Sequence, residues 1–129
     1  MASAELAPEE LASKITSACR TAAGDDVRSI TYFTRSDYEQ IYLRSDLEQD
    51  ADLGAFVEHE TLGFDAAEDY RGSELGDYAF TIRRFDNGFL TRVIRGDHGV
   101  FVTLDSLTTN RSEEIASALE GILEETAAE

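Results

Sequence analysis

The sequence predicts an α+β domain: a single five-stranded antiparallel sheet with helices on both faces, in the order α-β-β-α-β-β-β-α. Three observations carry this. Apolar residues recur at helical spacing near both ends of the chain, β-branched and aromatic runs are punctuated by turn residues between them, and the first of those runs is apolar on both of its sides. A strand that is apolar on both sides needs something packed on each of them.

The elements follow in order. Pro8 suits a first helical turn, Glu9 and Glu10 sit at the positive end of the helix dipole, and Leu11, Ile15, Ala18, Cys19 and Ala22 form a stripe that Gly24 ends. This predicts a helix over 8–23. Val27 to Thr34 and Tyr38 to Leu43 read as two strands of a hairpin around Arg35-Ser36-Asp37, with Ile30 and Tyr32 on one face and Phe33 on the other. Asp50 and Asp52 are cap candidates for a short helix with Leu53, Phe56, Val57 and Glu60, ending near Gly63. Residues 65–77 have no clean period and read as a loop. Asp86-Asn87-Gly88 is the strongest local signal, because Asn-Gly supplies the positive φ angles of a tight hairpin turn between Tyr78–Phe85 and Phe89–Arg95. A turn at Gly96-Asp97-His98-Gly99 leads into Val100–Leu104. Asn110, with Glu113 three residues on, resembles a capping box for a last helix carrying Ile115, Leu119, Ile122 and Leu123.

All 129 residues are expected to form one domain, with 1–7 a flexible lead and 126–129 a flexible tail. With 42% hydrophobic residues and twelve aromatics (5 Tyr, 7 Phe) the chain has material for a core. Charge is its most distinctive property. Acidic side chains number 27 against 11 basic, a net charge of −16, and Lys14 is the single lysine beside ten arginines. Such a surface repels itself in dilute buffer, and molar salt shortens the Debye length to about 3 Å and removes the repulsion. The composition therefore points to the cytoplasm of a salt-accumulating halophile. A pI near 4.3 argues against nucleic acid and anionic membranes as partners. The sequence contains no apolar run of transmembrane length, and Met1–Ala18 does not read as a signal peptide. One cysteine, Cys19, allows no internal disulfide and no four-cysteine zinc site.

Two resemblances bear on function. Tyr32-Phe33-Thr34, Tyr38 to Arg44, Gly88 to Ile94 and Gly99 to Thr103 resemble a group of small acidic proteins of halophilic archaea, a likeness that covers most of the chain and implies no activity. The order of elements resembles the roadblock/dynein light-chain fold. That resemblance implies a non-enzymatic dimer that binds small Ras-like GTPases or serves as a scaffold subunit, and transfers no site residue.

The residues themselves give no catalytic set, metal site or cofactor site. Glu58-His59-Glu60 places three polar groups about 100° apart on a helix, so they do not converge on one ion. His98 lies beside Asp97 with no nucleophile placed to join it, and glycine-rich phosphate loops are absent. The arginines are more informative. With Asn87-Gly88 as the turn, Phe85 faces Leu90, Arg84 faces Thr91, and Arg83 faces Arg92. Facing arginines repel and require a nearby anion. That anion is either internal (Glu58, Glu60 or Asp52) or belongs to an acidic partner or phosphate bound by Arg83, Arg92, Arg84 and Arg95. Tyr32, Tyr38, Tyr42, Phe56, Phe64, Tyr70 and Tyr78 exceed what two helices obviously cover, which favours a subunit interface through Phe56, Val57, Tyr70 and Tyr78. The expectation is an interaction module, dimeric with itself or a paralogue. The alternative is a small-anion or nucleotide sensor of profilin-like or PAS-like shape.

Overall fold

A computed structural model describes residues 6–47, 53–105 and 109–127. Four helices of seven or more residues and five strands make up these segments: α1 (Glu9–Ala23), β1 (Val27–Thr34), β2 (Tyr38–Leu43), α2 (Leu53–Thr61), α3 (Gly63–Asp69), β3 (Thr81–Phe85), β4 (Gly88–Arg95), β5 (His98–Leu104) and α4 (Thr109–Ala127), with a 3-10 turn at Gly24–Asp26. The strands form one antiparallel sheet in the order β2-β1-β5-β4-β3, so the two predicted hairpins flank a central β1–β5 pairing.

Helices cover both faces. On one, α1 and α4 bury Leu11, Ile15, Cys19, Ile115, Leu119 and Leu123 against Val27, Ile30, Tyr32, Val93, Val100 and Val102. On the other, α2 and α3 bury Leu53 and Phe64 against Phe33, Leu90, Ile94 and Phe101. Alternation along β1 does this sorting: Ile30 and Tyr32 point one way and Phe33 the other. Burial also pushes the Cys19 thiol up to about 12, as expected of a small core group and not of a nucleophile.

Several boundaries differ from expectation. Residues 63–69, read partly as loop, form α3. Five of the seven are Asp, Glu or Ala, too polar to show a period, and Phe64, with Ala67 packed beside it, anchors the helix in the core. β3 begins at Thr81, three residues later than expected. His98 belongs to β5 and not to a turn, because the hairpin closes on Gly96-Asp97 with Arg95 paired to His98. Asn110 lies inside α4, which starts at Thr109, so it is not the cap; the cap candidates Asp50 and Asp52 lie outside the described residues. α4 continues to Ala127, into the expected tail. Leu6 and Ala7, expected to be flexible, donate their backbone N–H groups to Glu39 Oε1 at 2.9 and 2.8 Å.

The largest correction is the register of the β3–β4 hairpin. Its turn residues are Asp86-Asn87, not Asn87-Gly88, so Phe85 pairs with Gly88, Arg84 with Phe89, Arg83 with Leu90 and Thr81 with Arg92. Gly88 does not serve the turn. A Cβ there would stand 2.6 Å from the Leu104 carbonyl oxygen, so this glycine permits close approach of β4 and β5. Arg83 therefore does not face Arg92. The slip is two residues in the pairing sum, which preserves the side-chain alternation and leaves both arginines on the same face.

Candidate functional site

Both arginines point toward α2, where the sheet-facing stripe Leu53, Phe56, Val57 and Glu60 runs at helical spacing. The first three positions are apolar. The fourth places a carboxylate, 2% exposed, between the two guanidinium groups. Glu60 Oε1 accepts from Arg92 Nη1 at 2.9 Å, and Glu60 Oε2 accepts from Arg83 Nε at 2.8 Å.

Arg92 is nearly enclosed, and each edge of its guanidinium finds an acceptor. Nη2 donates to Thr81 Oγ1 at 2.9 Å, and Nε and Nη2 lie 3.4 Å from Tyr78 Oη, with the guanidinium carbon 5.6 Å from the Tyr78 ring centroid. Tyr78 Oη sits 2.8 Å from Thr81 Oγ1 and donates to the Arg92 carbonyl at 3.2 Å. Above this plane lies the start of α3. A Cβ on Gly63 would stand 2.5 Å from the guanidinium carbon of Arg92, so only glycine lets the helix sit there. A buried charge is tolerated when paired and hydrogen-bonded on all sides, and Arg92 meets that condition. Arg83 is different: its side chain is 39% exposed and shares its one carboxylate with Arg92.

The other two arginines diverge from this pair. Arg95 lies on the opposite face and clamps α4, bonding Glu120 and Glu124 and donating to the carbonyls of Ala79 and Ile94. Arg84 is exposed on the edge strand. Nine of the eleven basic side chains make ion pairs, and among the described residues Arg84 and Arg71 are the two that make none.

Phe56 and Val57 are half-buried against the core beneath α2, with Phe56 stacked on Phe85 at 6.1 Å between ring centroids. Tyr78 belongs to the arginine cluster, whereas Tyr70 is 59% exposed at the end of α3. Tyr32 and Phe64 are consumed by the chain's own core. His98 is also occupied. The Leu123 carbonyl only accepts, so Nε2 at 3.1 Å must carry a hydrogen, and Nδ1 then receives the Tyr32 hydroxyl at 2.8 Å. Among the described residues no group of three or more His, Cys, Asp or Glu is placed to hold a metal ion, and no helix is long and apolar enough to cross a membrane.

Sequence reasoning located Arg83 and Arg92 and named Glu60, with Glu58 and Asp52, as the internal anion between them; the structure selects Glu60. The signal that distinguishes it is its place in the fourth position of the apolar stripe of α2.

A five-stranded sheet with one helix pair on each face, in this strand order, is the roadblock fold, and solved structures of that class superpose on nearly the whole chain. MglB, a gliding protein from Thermus thermophilus, matches with a TM-score of 0.62 and 13% identity over 95% of both chains. MglB solved in a tetrameric arrangement gives 0.61 and 16%, covering 95% of this chain and 94% of that one. Myxococcus xanthus MglB gives 0.59 and 15%, covering 95% and 96%. By sequence, the chain belongs to the family described as Domain of unknown function (DUF7522), which matches residues 13–124. No curated protein matches.

Proposed function

We propose that this protein is a non-enzymatic interaction module of a halophile's cytoplasm. It pairs with itself or a paralogue through α2 and an edge of the sheet and, as a pair, engages a small GTPase-type partner. The observation that carries the reading is the way the buried polar groups are spent. Glu60, Arg92, Tyr78 and Thr81 satisfy one another, and His98 is held between Tyr32 and α4, so these groups serve architecture. Of the exposed groups, Tyr70, Ile82, Arg84 and Phe85 lie around α3 and β3, with Leu62 and Leu75 also exposed and Tyr38 exposed on β2 at the other edge of the sheet. The likeness to MglB structures, one solved as a tetramer, supports an assembling scaffold.

Sedimentation of the full chain in about 2 M KCl, where screening removes self-repulsion, tests the reading. A dimer that Tyr70→Asp weakens is expected, and a monomer at all concentrations counts against it. A second reading, in which Arg83 and Arg92 hold a small anion, is disfavoured because Glu60 already stands between them. A panel of nucleotides and carboxylates that leaves the melting temperature unmoved removes it.

A further inference from the structure

A cavity of about 640 Å³ lies beneath the start of α2, at the end of the sheet where β1 begins and β2 and β5 finish. Its size falls within the range of about 300–1,000 Å³ that holds a small organic ligand. Phe101 on β5, Leu43 on β2 and Leu53 on α2 give it apolar walls, and Phe56 and Phe85, stacked with ring planes 16° apart, close the side toward β3. Such walls suit the face of a planar ring.

The polar groups here are incompletely spent. On the α1–α4 side the central strands β1 and β5 present Val27, Ile30, Val100, Val102 and Leu104, whereas on the α2 side at this end they present Ser29, Thr31 and Thr103. Ser29 Oγ and Thr103 Oγ1, paired across the two strands, lie 2.6 Å apart. One hydroxyl donates to the other, so one of the two hydrogens is left without an acceptor although Ser29 is only 8% exposed. Next on the same face of β1, Thr31 Oγ1 is buried with no partner. Beside them on β2, half-buried Gln40 makes no side-chain hydrogen bond among the described residues. Polar groups in such a place cost stability unless something pairs with them.

We propose that this cavity binds an uncharged planar ring bearing a carboxamide or ring carbonyl, whose oxygen accepts from the Ser29–Thr103 hydroxyl pair and from the Gln40 amide. The site goes beyond the interaction-module reading, because its floor is made by the central strands and not by the edge given to pairing. Charge decides against ions. Arg28 at the rim is already bound to Asp105 at 2.8 Å, and Asp86 on the β3–β4 turn adds a carboxylate at the mouth of a chain of net charge −16, so an anion is opposed. A cation accepts nothing and leaves the unspent donors unserved. A carboxamide also donates, which answers the Gln40 carbonyl.

The test uses the full chain in about 2 M KCl, which screens the net charge so that any preference belongs to the cavity. One ring is offered in three charge states: benzamide, benzoate and benzylammonium. In NMR titrations benzamide should shift the amides of Ser29, Gln40 and Thr103 and bind about tenfold tighter than either ion, the size that two modest hydrogen bonds supply. Gln40→Leu should remove most of that preference. Ser29→Ala combined with Thr103→Val deletes both hydroxyls at nearly constant shape, so melting should hold or rise while benzamide affinity falls. Melting that falls with affinity intact makes the hydroxyl pair architectural and overturns the inference. Binding of none of the three probes overturns it too, as does equal or tighter binding of an ion, or shifts confined to residues outside the cavity. Pairing of the chain is read separately, by sedimentation, and neither result decides the other.

Discussion

The two sides of the sheet are built on different chemistry. Among the described residues, sixteen buried apolar side chains lie beneath α1 and α4, whereas six lie beneath α2 and α3, where much of the remaining buried space goes to Glu60 and Arg92. The first side is held by the non-directional removal of apolar surface from water. The second depends on one carboxylate meeting two guanidiniums at fixed distances, which defines the position of α2 closely but tolerates little loss. The sheet therefore has a general-purpose side and a specified side; exposed Tyr70 and Phe85 lie on the specified one, whereas Ile82 and Arg84 project from the edge strand to the other.

Substitutions that act on one side only would sharpen or break this contrast. Glu60→Gln should have the largest effect, because it leaves Arg92 buried without its counter-ion at a cost of about 4 kcal/mol; chemical denaturation measures it, and a loss under about 1 kcal/mol would show that the charges relax toward water. Leu119→Ala, in the apolar side, should cost about 3 kcal/mol with no dependence on salt. Gly63→Ala follows at about 2 kcal/mol, since a methyl group must displace an enclosed guanidinium. It should be milder when combined with Arg92→Met, so a double-mutant cycle reads the contact directly.

The smallest effect concerns the rim where β1, β2 and β5 meet. There Arg44 bonds Asp46 at 2.6 Å and Asp105 at 2.5 Å, with Arg28 also on Asp105 at 2.8 Å. Hydrogen bonds from Arg44, then from Arg28, hold the Asp105 carboxyl below its ordinary value of 3.8, and Arg44 does the same for Asp46. A carboxyl depressed in the folded state stabilises above its unfolded value and loses that contribution as pH falls through the folded one. Melting temperature should accordingly drop below about pH 4, and Asp105→Asn should flatten part of that drop. An unchanged acid limb would assign the acid sensitivity elsewhere.

Most of the architecture was legible because it follows from local pattern. Leu11, Ile15 and Cys19 on α1, the β-branched run of β1 and the stripe of α4 each carry enough periodicity to fix an element to within a few residues. What was not legible depended on contacts between distant segments. α3 exists because Phe64 finds a slot beside Phe33, with ring centroids 5.4 Å apart, and no window of its own sequence shows this. The β3–β4 register depends on Gly88 lying against β5, a requirement invisible within the hairpin. Glu60 was one of three carboxylates the sequence offered to Arg83 and Arg92, and only the packing of α2 on the sheet decides among them.

The enclosure of His98 has a practical consequence. Both of its ring nitrogens are engaged and the residue is 8% exposed, whereas His59 lies on the solvent side of α2. A reagent that acylates free imidazoles should therefore mark His59 alone in the folded chain. Loss of that mark on mixing with another protein would be a chemical footprint over α2, and appearance of a second mark would report that the fold itself has opened.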